Sequence, residues 1–240
     1  MKKMNKKIIV VTGGTGRFGA CLKKNKNNYK MIFPSKSQFN ILKYESLKKY
    51  LIKKKPKYAI HLAGLTRPMS IHNKNIAKSI DLNIIGTANM VKACELLNIK
   101  LIYLSTNFVY PGTKGNYKET DSLKPINNYA WSKLGGESAV QMYKNSLILR
   151  VSMTEKPFVH KKAFADFTTN FIFHEDVVKI LLRLINKSGI INVGGKKQTV
   201  YKFVKKFNPK IKKNYAKNIF GSRYPLNPSM NINKLKKILK

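Results

Sequence analysis

The chain has 240 residues, 43% of them hydrophobic, with 48 Lys and Arg against 10 Asp and Glu and a formal net charge of +38. That length suits one domain, or one domain with a small appendage, and the apolar content excludes a wholly disordered chain. Two cysteines, Cys21 and Cys94, exclude a disulfide scaffold or a Cys-rich zinc site, and both read as core thiols.

The charge invites a nucleic-acid reading, but its composition argues against one. Only five of the cations are arginines, and the 43 lysines are scattered along a chain also rich in Asn and Ile, the pattern of A+T-rich coding. The runs Lys53-Lys54-Lys55 and Lys205-Lys206 lack interleaved aromatics, and no zinc-finger or RRM spacing occurs. A nucleic-acid partner is therefore disfavoured, while the excess charge still attracts anionic substrates.

The chain starts with a lysine-rich stretch, and the apolar run that follows, Ile8 to Val11, is too short for an export signal. No stretch approaches the ~18 apolar residues of a membrane span, so no membrane partner and a cytoplasmic location are expected. Buried strands are predicted at Ile8 to Val11, Met31 to Phe33, Tyr58 to Leu62, Leu101 to Leu104 and Ser146 to Arg150. Helical spacing of apolar residues falls between them, over Ser46 to Lys54, Ile76 to Leu97 and Trp131 to Tyr143. After an aperiodic, aromatic-rich stretch, Asp176 to Leu184 reads as a helix and Ile190 to Val193 as a strand that rejoins the sheet. The tail holds predicted helices at Tyr201 to Phe207 and Asn233 to Leu239 among three prolines. Alternating strand and helix predict an α/β fold, a doubly wound parallel sheet. The expected division is a dinucleotide-binding core over 1–151, a substrate-region insertion over 152–171, a helix and strand rejoining the core over 172–195, and a cap over 196–240.

Three motifs carry chemistry. Thr12-Gly13-Gly14-Thr15-Gly16-Arg17-Phe18-Gly19 follows the first strand directly. Its glycines allow a tight turn and close approach of a pyrophosphate, and the helix that opens there offers free N–H groups and the positive dipole end. In Tyr129-Ala130-Trp131-Ser132-Lys133 a phenol and an ammonium four residues apart share one helix face, and a nearby Lys⁺ is expected to draw the tyrosine pKa down toward working pH. In Ser105-Thr106-Asn107-Phe108-Val109-Tyr110, hydroxyls end a buried strand where they can polarise a substrate oxygen. His61 has no local partner and reads as a satisfied packing or strand-end residue.

The spacing G-x-x-G-x-x-G, the Tyr-x-x-x-Lys element and the Ser-Thr-x-x-Val-Tyr element together resemble the extended short-chain dehydrogenase/reductase superfamily. Within it the chain is most similar to sugar-nucleotide reductases of the dTDP-4-dehydrorhamnose type, through Ser105 to Gly112, Leu149 to Ser152, His174 to Val178 and Asn227 to Leu235. The resemblance implies catalysis by Thr106, Tyr129 and Lys133. It implies a dinucleotide held by Gly13, Thr15, Gly16, Arg17, Phe18, Gly19, Ser35, Lys36, Asn40, Leu62, Ala63, Gly64, Asn83, Tyr129, Lys133 and Val151. It further implies a sugar-nucleotide substrate contacted by Thr106, Asn107, Phe108 and Arg223, and no metal.

Asn107 and Phe108 stand where 4,6-dehydratases require an acidic pair, which disfavours dehydration. Phe33-Pro34-Ser35-Lys36 offers no carboxylate to a ribose 2'-hydroxyl, whereas Ser35, Lys36 and Arg17 suit a 2'-phosphate. NADP(H) is favoured as cofactor, with NAD(H) the alternative. The implied activity is NAD(P)H-dependent reduction of a 4-keto sugar nucleotide in surface polysaccharide or glycoconjugate synthesis. An NAD-dependent sugar-nucleotide epimerase and a non-catalytic dinucleotide-binding protein are the rival readings, and a homodimer is left open.

Overall fold

Six strands make the central sheet of the computed structural model, which describes residues 6–240, so that the start of the chain at 1–5 lies outside the described residues. They are β1 (Ile8–Thr12), β2 (Lys30–Ile32), β3 (Tyr58–His61), β4 (Lys100–Thr106), β5 (Ser146–Val151) and β6 (Gly189–Val193). Their order across the sheet is β6-β5-β4-β3-β1-β2, and every pairing is parallel. The chain leaves β1 first toward β2 and then returns to β3 on the other side. This reversal opens a crevice at the carboxyl ends of β1 and β3, the place where open α/β sheets bind ligands.

The principal helices are α1 (Arg17–Lys24), α2 (Tyr44–Lys54), α3 (Ile76–Ile80), α4 (Gly86–Leu96), α5 (Asn128–Gln141), α6 (His174–Leu184) and α7 (Asn233–Leu239). Alternate residues of each strand face opposite sides of the sheet, so each face is buried under its own helices. Ile9, Val11, Ile60, Ile102 and Leu149 pack with Phe18 and Leu22 of α1 and with Val177 and Leu181 of α6. Val10, Ala59, Leu101, Tyr103 and Ile148 pack with Leu47 and Leu51 of α2 and with Met90 and Ala93 of α4. This is the doubly wound sheet that the alternation predicts.

Two local features depart from the sequence reading. The helix expected to run unbroken from Ile76 to Leu97 is interrupted by a π-helical turn, Asp81–Ile85, between α3 and α4. A wider turn of this kind is common at functional sites, and here it holds Asn83, which is 1% exposed. The aperiodic stretch 152–171 and the tail also prove to be one packing unit. Ala163, Phe167 and Phe173 share a small core with Val200, Phe203, Val204, Ile211 and Ala216. The strand Lys162–Phe164 pairs with Lys212–Asn214, and Thr168–Thr169 pairs with Gln198–Thr199. Aromatic contacts and ladders of two or three residues hold this lobe together, and neither leaves a period in the sequence. Among the described residues no helix is long and apolar enough to cross a membrane.

Candidate active site

The glycine turn is built by steric necessity. Gly13 has φ +69°, and a Cβ there would lie 2.6 Å from the Ala63 backbone nitrogen at the end of β3. A Cβ on Gly19 would lie 2.5 Å from the Gly13 carbonyl oxygen, so α1 can seat on the turn only through glycine. Gly16 caps α1 with extended backbone and no side-chain hydrogen bond, and the first turn carries no acid. The N–H groups of Arg17, Phe18 and Gly19 open this helix end, which favours an anion.

Thr12 joins the turn to β3. Its hydroxyl oxygen accepts from the backbone nitrogens of Leu62 (3.1 Å) and Ala63 (3.0 Å) and lies 2.8 Å from His61 Nδ1. On its other side, His61 Nε2 lies 3.1 Å from Thr87 Oγ1, whose own proton goes to the Asn83 carbonyl oxygen. Both ring nitrogens are thus satisfied. Burial, with the charge of Lys133 adding to it, lowers the His61 pKa to about 3 and keeps the ring neutral. His61 has the packing role expected of it.

Asn83 ties the loop after β3 to α5. Its Nδ2 donates to the Leu65 carbonyl (2.9 Å) and to Ser132 Oγ (2.7 Å), and its Oδ1 accepts from the Leu65 nitrogen (2.6 Å). Exposed Gly64 has no room for a side chain, because a Cβ would meet Asn83 Oδ1 at 2.8 Å. Asn127 caps α5 by accepting from the Ala130 nitrogen at 2.9 Å, which starts the helix one turn before Lys133.

Tyr129 and Lys133 lie on this first stretch of α5, beside the end of β4. Burial pushes the Tyr129 phenol up to about 12, while the Thr106 side chain and the charge of Arg67 pull the other way. Lys133 is 8% exposed, with Nζ 4.1 Å from the Tyr103 ring centroid. Burial pushes its ammonium down to about 7, against the pull of Glu137 one turn on. The expected lowering of the Tyr129 pKa by Lys133 is therefore corrected: desolvation dominates both groups, and the cation acting on the phenol is Arg67. Thr106 is 6% exposed, and its hydroxyl accepts from the Phe108 nitrogen at 3.2 Å. Ser105 instead donates to buried Glu137, which pairs with Arg150 at 2.6 Å.

Other predicted residues divide. Val151 ends β5, and it is 4% exposed. Asn107 spends its amide nitrogen on Thr169 Oγ1 and the Pro228 carbonyl, both at 3.2 Å, so it clamps the small lobe to β4 and leaves only its amide oxygen for a substrate. An Asp there could not donate to Pro228. Phe108 packs edge-on against Phe167 at 6.2 Å. Ser35 and Lys36 are exposed beyond β2, and the Asn40 amide oxygen already accepts from the Leu42 nitrogen at 3.0 Å. Thr15 and Arg223 are exposed, and next to Arg223 the Tyr224 ring stacks on Phe220 at 4.5 Å.

Sequence reasoning missed Arg67, His72 and Glu155. Arg17 and Arg67, from α1 and the loop after β3, both pair with Glu155 from the loop after β5; the Arg67 distance is 3.2 Å. Burial alone would raise the Glu155 carboxyl, but the hydrogen bond from Arg17 and the charges of Arg67 and Arg17 hold it below the usual carboxylate range. Glu155 could have been noticed as one of only 10 acids among 48 bases.

A parallel sheet thus carries a glycine turn at its reversal point and a Tyr-x-x-x-Lys helix beside the end of β4. Residues 6–181 match the RmlD substrate binding domain, and the chain belongs to that family. Methionine adenosyltransferase 2 subunit beta from Pongo abelii is 31% identical over 141 residues, 55% of this chain and 42% of that protein. A dTDP-4-dehydrorhamnose reductase from Aggregatibacter actinomycetemcomitans is 27% identical over 190 residues, 77% of this chain and 59% of that one. The chain thus spans about half the length of the curated relatives it matches. Among solved structures, a dTDP-4-dehydrorhamnose reductase from Bacillus anthracis in complex with NADP superposes with TM-score 0.85 at 22% identity, covering 98% of this chain and 93% of that one. A UDP-Glc/GlcNAc 4-epimerase from Campylobacter jejuni gives 0.78 at 19% identity, covering 97% and 92%.

Proposed function

We propose that the protein is an NADPH-dependent reductase of a 4-keto sugar nucleotide, serving surface polysaccharide or glycoconjugate synthesis in the cytoplasm. The observation that carries this reading is that Tyr129 and Lys133 lie on the first stretch of α5, which packs beside β4 with buried Thr106 at its end, and that Arg17, Glu155 and Arg67 lead back to the glycine turn.

The residues fit a dinucleotide. The glycine turn has no room for a Cβ at Gly13 or Gly19, α1 has no side-chain cap, and residues 33–43 beyond β2 carry no acid to oppose a 2'-phosphate. Gly13, Thr15, Gly16, Arg17, Phe18 and Gly19 would hold the diphosphate, with Ser35 and Lys36 at the 2'-phosphate. When bound, the nicotinamide supplies a hydride to the keto carbon.

Tyr129 gives its proton to the oxygen as that carbon is reduced. A phenol raised to about 12 is fully protonated at working pH, the state a proton donor needs, and the alkoxide it serves is more basic still. Thr106 aligns the carbonyl oxygen beside the phenol, and Arg67 stabilises the phenolate left behind. Lys133 holds the ribose hydroxyls beside Tyr129. The lobe formed by 152–171 and 196–240 closes over the sugar nucleotide, with Phe108 against the sugar and Arg223 toward the diphosphate.

Purified protein given NADPH and a panel of nucleoside-diphosphate 4-keto sugars should consume NADPH in proportion to product. A second reading is favoured by the relatives named as a methionine adenosyltransferase subunit: a dinucleotide-binding protein that regulates a partner without chemistry of its own. NADPH binding without turnover on any keto sugar would support it against the reductase.

A further inference from the structure

The loop from β3 to α3 walls the site beside Tyr129 and is fastened at both ends. At its start, Leu65 is held by both ends of the Asn83 amide. Toward its end, Asn73 Oδ1 accepts a 2.9 Å hydrogen bond from Asn128, the residue before Tyr129. Between these ties lies His72, on the single helical turn Ile71–Lys74 and only 1% exposed. Its Nδ1 is 2.7 Å from Ser79 Oγ on α3, itself 3% exposed. Its ring packs edge to face on Tyr129, with centroids 5.2 Å apart and planes at 61°.

His72 is expensive for a packing residue. Its Nε2 is the one buried side-chain nitrogen or oxygen without a hydrogen-bond partner among the described residues. An unpartnered buried nitrogen carries a desolvation cost that an apolar ring would not. Burial lowers its pKa, outweighing the opposite pull of the Thr66 backbone, so the ring is neutral. What the imidazole offers in return is a ring whose plane Ser79 fixes and whose edge meets the phenol.

We propose that His72, pinned by Ser79, is a positioning residue that holds the Tyr129 phenol in the single orientation from which it can reach the substrate oxygen. This rests on Tyr129 being the proton donor. Misplacing a reacting group by about 1 Å can cost up to ~10²-fold in rate, so a side chain that only orients the phenol can govern turnover without touching substrate.

The test compares three variants in the full-length protein. His72→Ala should lower kcat by about tenfold to a hundredfold, with KM and NADPH affinity within about twofold of wild type. His72→Phe, which keeps the ring but gives up the hydrogen bond to Ser79, should recover only part of the loss. His72→Gln, which keeps a polar link to Ser79 but no ring, should not. Wild-type kcat in His72→Ala, equal losses in kcat and NADPH affinity, or rescue by Gln as good as by Phe would each overturn the proposal.

A second readout needs no substrate. With 3-fluorotyrosine incorporated, the Tyr129 fluorine resonance, assigned by its loss in Tyr129→Phe, should shift and broaden in His72→Ala and return only part of the way in His72→Phe. An unmoved resonance overturns the proposal whatever the activity. The expected shift in a protein that reduces no keto sugar would instead sink the reductase reading and leave the positioning of Tyr129 by His72 standing.

Discussion

At the residue scale, Tyr129 and Lys133 are two ionisable groups whose pKa values burial drives apart: the phenol goes up to about 12 and the ammonium down to about 7. Both shifts favour the neutral form, and the phosphates of a bound dinucleotide would restore charge to the ammonium while keeping the phenol protonated. Tyr129→Phe removes the proton and leaves the ring, so kcat should fall about 10²- to 10⁴-fold while NADPH affinity, read by fluorescence titration, stays near wild type. Lys133 also makes a stability prediction. Its pKa is lower in the folded than in the unfolded chain, so the unfolded state binds more protons between about 7 and 10.5, and stability should rise with pH across that window. Lys133→Met should lose this slope in urea melts taken at several pH values. An unchanged slope would mean that the ammonium is not buried at a cost.

At the scale of elements, the site depends on contacts that allow no extra atom and on one buried ion pair. Gly13→Ala must adopt φ near +69° and also push against the end of β3. It should cost about 1–3 kcal/mol of stability from backbone strain and abolish NADPH binding, measured by calorimetry. Glu137 is wholly buried on α5, where it holds Arg150 of β5 and Ser105 of β4. Arg150 also donates to the Tyr110 hydroxyl at 2.8 Å and the Glu119 carbonyl at 3.1 Å. Glu137→Ala would strand that guanidinium, with an expected loss of about 3–5 kcal/mol in chemical denaturation. Replacing both partners by apolar residues should recover part of it.

These elements also show what the sequence could tell. Strands β1, β3, β4 and β5 are short aliphatic runs between amphipathic helices, and local pattern is enough to place them within a residue or two. The glycine turn and the Tyr-x-x-x-Lys helix were legible because their chemistry is encoded at fixed local spacing. Arg67, His72 and Glu155 were not, because each acquires its role from a partner far away in the chain, as when Glu155 meets Arg17. Asn107 and Lys133 were found, but their surroundings were not: the Asn107 amide turns to Pro228, and Lys133 lies over Tyr103. The small lobe was hidden for the same reason, since its aromatic core draws on residues from 163 to 216.

At the scale of the whole molecule, a sheet whose strand order reverses at β1 and β3 offers one crevice, and the glycine turn, the α5 pair and the Arg17–Glu155–Arg67 cluster all border it. The chain as a whole carries a net charge of +38, so association with an anionic sugar nucleotide should be faster at low salt and slow as salt is added. The most direct measurement of the central claim is the nicotinamide absorbance of NADPH followed against nucleoside-diphosphate 4-keto sugars, with wild type beside Tyr129→Phe. The account predicts stoichiometric loss of NADPH with wild type and almost none with the variant. Turnover by Tyr129→Phe at the wild-type rate, or sugar conversion without NADPH consumption, would contradict it.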